Sequence, residues 1–299
     1  MASTYLRAEK IAAQALGLLE RELVLANTVT RMGLTDVQYA QDDTVNLRIP
    51  ARVDARERAL RATTELDTDE LTETSVPVVL DKHVYSLVPV TDAQLTLDIV
   101  SFGEQVQRPQ MRAVAEKLEG YVQDALSGAS YAVGHTQEFN TGDPFASFIK
   151  ARKLLNDANV PMSDRFFAVG SQIESEILAD DRVTAADSFG TDSAFREATI
   201  GRLFGFTIVS SNTLGENEAY AYHRSAVALP IVAPEVPSGA TAGSQAAMDG
   251  LGMTWLRDYD PKFAQDRSLV HSFSGYKAVN DGTGDKVVRA VKFVNALTS

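Results

Sequence analysis

Apolar positions recur three or four apart from Arg108 to Ser127. Met111, Val114, Ala115, Leu118, Tyr121, Val122 and Ala125 fall on one helical stripe, while Arg112, Glu116, Lys117, Glu119, Gln123 and Asp124 take the other faces. Pro109 suits a first helical position, where no N–H is needed, and Gly128 suits a stop. The pattern predicts one long spine helix with Met111, Val114, Leu118 and Val122 in its core. A second helical stripe, Ala8, Ile11, Ala12, Ala15, Leu16, Leu19 and Leu23, predicts a helix from Ser3 to Asn27 capped by Ser3 or Thr4. That helix either packs on its own domain or lies as an arm on a neighbouring subunit.

Between these helices the period changes to two. Thr44 to Ile49 alternates and stops at Pro50, and Ser75 to about Val90 alternates with one change of face, which predicts two strands. The segment joining them, Ala51 to Thr74, has too few apolar residues to build a core. Its first half carries Arg52, Arg56, Arg58 and Arg61, and its second half carries Glu65, Asp67, Asp69, Glu70 and Glu73. A charge run of this kind is ordinarily a solvated face. The alternative is a long hairpin that leaves the body, with each half meeting its opposite charge on another copy.

A short helix is expected from Leu97 to Val106. After the spine, Asp143-Pro144 starts a helix that ends near Asn159, with Phe145, Phe148, Ile149, Arg152 and Leu155 on one face. Arg165 to Val169 reads as a buried strand and Gln172 to Ala179 as a helix with Ile173, Ile177 and Leu178 inward. Phe206 to Val209, then Ala219 to Leu229, continue the α/β alternation. Pro234 to Gly250 is rich in Pro, Gly, Ser and Ala and reads as a loop or domain crossing. Gly252 to Tyr259, Leu269 to Tyr276 and Lys286 to Val294 are strand-like, and no internal repeat is visible.

Composition narrows the possibilities. A chain of 299 residues that is 44% hydrophobic can form two lobes or one large domain. No apolar run reaches the ~18 residues of a membrane helix, and MASTYLRAEK lacks a signal-peptide core. With no cysteine there is neither disulfide nor thiolate chemistry. A net charge of −12 argues against a broad basic grip on nucleic acid, though not against a wall that merely encloses it.

Catalytic patterns are thin. His83, His135, His223 and His271 lie far apart without metal-helix spacing. Asp81 and His83 share a strand face, and a surface pair is the better reading than a metal pair. Gly201 to Gly205 lacks the Lys-Ser/Thr of a phosphate loop, and Gly250-Leu-Gly252 lacks the third glycine of a dinucleotide site. Asp180-Asp181 and Asp258-Tyr-Asp260 read as a helix end and a turn. No catalytic, cofactor-binding or metal residue is assigned, and no cofactor is expected.

Several strings in order carry a resemblance. They are Tyr5-Leu6, Ile11-Ala12, Ala15-Leu16 and Leu23-Val24, then Asp43-Thr44-Val45 leading to Pro50, and Val78-Val79-Leu80-Asp81-Lys82-His83. Later come Gly205-Phe206 with Ser210-Ser211-Asn212, His223-Arg224-Ser225-Ala226, and Leu256-Arg257-Asp258-Tyr259-Asp260. With the order of elements, the whole chain resembles the major capsid proteins of tailed bacteriophages, whose fold is shared with the herpesvirus capsid floor. Within them it looks like the coat-protein family best known from a short-tailed enterobacterial phage.

The resemblance implies an α+β capsid fold in four parts: an N-terminal arm (1–40), an extended loop (41–86), a peripheral domain with the spine helix (87–140 and 247–299), and an axial α/β domain (141–246). It implies a non-enzymatic subunit that assembles as pentamers and hexamers into an icosahedral shell around double-stranded DNA. The site would be the virion capsid, assembled in the host bacterial cytoplasm without a membrane. Partners would be a separate scaffolding protein, a portal and a cement protein. Loop charges Arg52, Arg56, Arg58, Arg61, Glu65, Asp67, Asp69, Glu70 and Glu73 would contact an adjacent subunit. One branch of the fold forms a Lys–Asn isopeptide; Lys82 lies on the loop, but nothing local supports that chemistry. The alternatives are an encapsulin-like nanocompartment shell of the same fold and an acidic soluble enzyme with an unrecognised site.

Overall fold

The spine helix is the axis on which two sheets meet. The computed structural model describes residues 23–32, 43–49, 55, 57, 58, 60, 65, 68, 74–94, 102–180, 201–240, 242–248, 251–280 and 285–295. In chain order, a 3-10 turn at Ala26–Thr28 leads to β1 (Thr30–Met32), β2 (Thr44–Ile49), β3 (Thr74–Val79) and β4 (Lys82–Thr91). A π turn, Gly103–Gln107, runs into α1 (Arg108–Ser127), followed by β5 (Thr136–Glu138), α2 (Pro144–Asp157), β6 (Arg165–Val169) and α3 (Ser171–Leu178). Then come β7 (Arg202–Leu203), β8 (Phe206–Ser210), β9 (Glu218–His223), β10 (Val227–Val232), β11 (Ala242–Met248), β12 (Leu251–Asp260), β13 (Gln265–Ser274), β14 (Lys277–Ala278) and β15 (Ala290–Val294).

One sheet of seven strands has the order β1-β10-β13-β12-β11, with β4 also on β13 and β14 on β10. A sheet of six strands has the order β5-β15-β9-β6-β8-β7, and β2 and β3 form a separate two-stranded ribbon. One core joins α1 (Met111, Val114, Leu118, Val122) to Val84, Met253, Trp255 and Val270 of the seven-stranded sheet and to Tyr220 and Tyr222 of the six-stranded one. A second core lies on the opposite face of the six-stranded sheet, where Phe148 of α2 stacks on Phe167 of β6 with ring centroids 4.1 Å apart.

Several elements differ from the sequence reading. The first helix lies mostly outside the described residues, but Leu23 to Asn27 is not α-helical. Leu97 to Ser101 lies outside the described residues, whereas Phe102 to Gln107 is helical and continuous with α1, so Pro109 sits in a running helix. The strand expected from Ser75 to Val90 breaks at Leu80-Asp81. Its first part pairs with β2 and its second with β13 over ten residues, from Lys82 against Ser274 to Thr91 against Gln265. Gly275 marks that junction, because a Cβ there would lie 2.0 Å from the Val79 carbonyl oxygen.

Ala219 to Leu229 is likewise not one element: β9 and β10 part at the turn Arg224–Ala226 and enter different sheets. The Gly/Ala-rich stretch read as a loop contains β11, which forms a hairpin with β12 from Ala242 against Arg257 to Met248 against Leu251. Small residues suit it, since a Cβ at Gly243 would meet Val236 at 2.6 Å and Leu256 at 2.7 Å. In α2 the buried face is Pro144, Ser147, Phe148, Ala151 and Leu155; Ile149 and Arg152 are exposed. The Asp143 side chain makes no capping hydrogen bond.

Candidate intersubunit surfaces

Among the described residues, the ribbon of β2 and β3 is held at its root. Thr44 to Ile49 pairs antiparallel with Val79 to Thr74. Val45 and Val78 turn inward onto Met32 and Ala228, with Leu47 and Leu80 beside them. The root is tied by Leu80 N–H to the Asp43 carbonyl at 2.7 Å and by Lys277 Nζ to the Pro77 carbonyl at 3.0 Å. Beyond the paired strands, Ala55, Glu57, Arg58, Leu60, Glu65 and Thr68 are all exposed, and Leu60 is 98% exposed. Of the loop charges singled out above, Arg58 and Glu65 are thus on the surface. Arg52, Arg56, Arg61, Asp67, Asp69, Glu70 and Glu73 lie outside the described residues.

The seven-stranded sheet offers a second surface. Its inner face covers the spine, while Tyr85, Leu87 and Phe273 on its outer face are 62%, 50% and 40% exposed. An open groove of about 360 Å³ runs beside Leu87 between Leu256, Leu269 and the loop around Pro237. Arg267 at its side bonds Asp258 at 2.8 Å and lies 3.6 Å from Asp260, so the Asp-Tyr-Asp string is neutralised by an arginine across the hairpin. No group of three metal-ligating side chains occurs among the described residues.

The fold brings His83 and His271 together. They are far apart in sequence, but β4 and β13 set His83 Nε2 3.1 Å from His271 Nδ1, beside Tyr85 and Phe273. Asp81 instead pairs with Lys82. Burial, with His83 as a lesser cause, lowers the His271 pKa; burial and then Arg289 lower that of His223. A histidine with a depressed native pKa contributes full stability above its unfolded value of about 6.5 and loses it as pH falls below that. The melting temperature should therefore drop from about pH 7 to about pH 5, and the double variant His223→Gln, His271→Gln should flatten that slope. An unchanged slope in the variant would assign the acid loss to other groups.

Two interior polar groups escaped sequence reasoning. Gln110 on α1 donates to the carbonyls of Ser86 (2.9 Å) and Ser268 (2.8 Å) and accepts from Ser268 Oγ, to which Trp255 Nε1 also donates. Glu119, expected on a solvent face, is only 5% exposed. Its Oε1 accepts from the backbone N–H of Val24 (2.7 Å) and Ala26 (3.0 Å), and its Oε2 from Leu25 (2.7 Å). Burial raises its pKa, and the three N–H bonds oppose that shift.

Among the described residues the exposed features are the loop positions beyond the β2–β3 root and the outer face of the seven-stranded sheet. Residues 123–246 match the family model described as phage capsid protein. A solved structure from Mycobacterium phage Che8 is 21% identical, with a TM-score of 0.63 over 91% of this chain and 90% of that one. The capsid structure of the cyanophage P-SCSP1u is 12% identical, with a TM-score of 0.64 over 99% and 91%. The chain has the fold of phage capsid proteins. The same capsid fold extends to the virus-like particle from Pyrococcus furiosus, at 10% identity and a TM-score of 0.55 over 95% of this chain and 97% of that one. No curated protein sequence matches significantly.

Proposed function

We propose that this capsid protein self-assembles, as pentamers and hexamers, into the icosahedral shell that encloses the double-stranded DNA of a tailed bacteriophage. The observation that carries the reading is the ribbon: a paired root fixed to the body and a charged crown whose described residues are all exposed. Exposed charges of this kind add little to a monomer, whereas in a lattice many weak repeated contacts sum to a stable wall.

The four-part division follows: an arm to residue 40, the extended loop 41–86, a peripheral domain around the spine, and an axial domain at 141–246. The short-tailed enterobacterial branch is the one whose strings the chain carries. A separate scaffolding protein, a portal and a cement protein complete the set of partners, the site is the virion capsid, and the subunit itself turns over no substrate. No described helix is long and apolar enough to cross a membrane.

Electron microscopy of the purified protein tests this. Closed shells are expected; a persistent monomer would reject the reading. Shells loaded with an enzyme rather than DNA would instead support a nanocompartment of the same fold.

A further inference from the structure

Glu119 stands apart from every other acidic residue described. Its carboxylate is buried on the spine, yet its partners come from 93 to 95 residues earlier, where three consecutive backbone N–H groups converge on it. Such a run of amides is an anion nest, normally filled by a ligand; here the spine supplies the anion. Three donors and no acceptor face it, so only a carboxylate, acceptor on both oxygens, satisfies the site.

The segment that Glu119 holds is a strap across the whole subunit. Leu23, Leu25, Ala26 and Val29 are buried in the spine core. Thr28 Oγ bonds the hydroxyl of Tyr222 in the six-stranded sheet. Two residues on, β1 pairs in parallel with β10 of the seven-stranded sheet. The strap thus touches the spine, then one sheet, then the other, and Glu119 fixes its first point.

We infer that Glu119 is the positioning residue that anchors the strap at Val24 to Ala26 on the spine, and that shell geometry depends on this anchor. The inner strap is secured independently by burial of Leu25 and Val29 and by β1 pairing, so removing the carboxylate loosens residues 24–26 without undoing the fold. The second half of the inference rests on the shell reading; the first half does not.

Glu119→Gln tests both. The amide has one acceptor oxygen and sets an NH₂ against a backbone N–H, so at least one of the three bonds becomes a clash of donors. Hydrogen exchange at the amides of Val24, Leu25 and Ala26 should speed up by about tenfold or more, while the amides of Met111 to Val122 in α1 stay protected. Glu119→Asp keeps the charge and should recover part of the protection. In the same variant, closed shells should give way to open or irregular particles. Unchanged exchange at residues 24–26, or equal loss of protection along α1, would overturn the anchor. Normal shells despite local loss of protection would overturn its role in assembly. If the wild type makes no shells, the shell reading fails while the exchange result still decides the anchor.

Discussion

Leu118→Asp should abolish the folded, soluble subunit rather than merely weaken assembly. Leu118 is completely buried in the core that joins the spine to both sheets. Truncation to alanine there should cost about 2–5 kcal/mol from lost contacts and the cavity left behind. Aspartate adds an unpaired carboxylate with nothing to receive it, and its neighbour Glu119 already places one carboxylate in that interior. The sum is comparable to the whole stability of a domain, about 5–15 kcal/mol. Circular dichroism and the soluble fraction after expression measure the outcome. A soluble variant with native ellipticity and an unchanged melting temperature would mean that this face of α1 is not the core face.

Reversal of three loop charges, Arg56→Glu, Arg58→Glu and Arg61→Glu together, should spare the subunit and remove most shells. The paired root depends on Val45, Val78, Met32 and Ala228, none of which is touched. Arg58 is exposed, and Arg56 and Arg61 flank it in sequence. A single exposed ion pair contributes only about 0–1 kcal/mol and is screened by salt, so one substitution should be almost silent. Three reversals change the loop's charge by six units and set like charges against any acidic surface that the arginines contact. Repeated at every copy, a deficit of even about 1 kcal/mol per contact suffices to block closure. Sedimentation separates monomers from particles. Normal particles at low salt would dismiss the contact, and an unfolded monomer would place the segment in the subunit's own core.

Periodicity served best where a residue faces only one neighbour. The bounds of α1 and β2 were legible because each has a clean period and a stop at Gly128 or Pro50. Glu119 and Gln110 show where charge or polarity misleads. On the helical wheel Glu119 lies four residues from Ala115 and three from Val122, in the apolar row, and only its chemistry suggested solvent. The row could have flagged it; its partner at residues 24–26 could not be found from sequence, because no local signal links positions so far apart. The same holds for His83 and His271, which meet only through strand register. β11 was missed because Ala, Gly and Ser carry little β-propensity, and the hairpin with β12 overrides that weak preference. The family resemblance rested on the order of weak strings, information that lies in no single element.

The position of β15 bears on when a subunit becomes usable. This strand, Ala290–Val294, lies between β5 and β9, bonded to both, with Val291 and Phe293 buried in the second core. An emerging polypeptide therefore cannot close the six-stranded sheet until residue 294 has cleared the ribosome, however early β5 to β9 are made. Until then Phe167 and Phe139 lack the aromatic ring of Phe293 against which they pack. Slow, non-local closure of this kind acts as a timer during synthesis. Prematurely terminated chains lack an interior strand and expose the apolar surface that Val291 and Phe293 would cover.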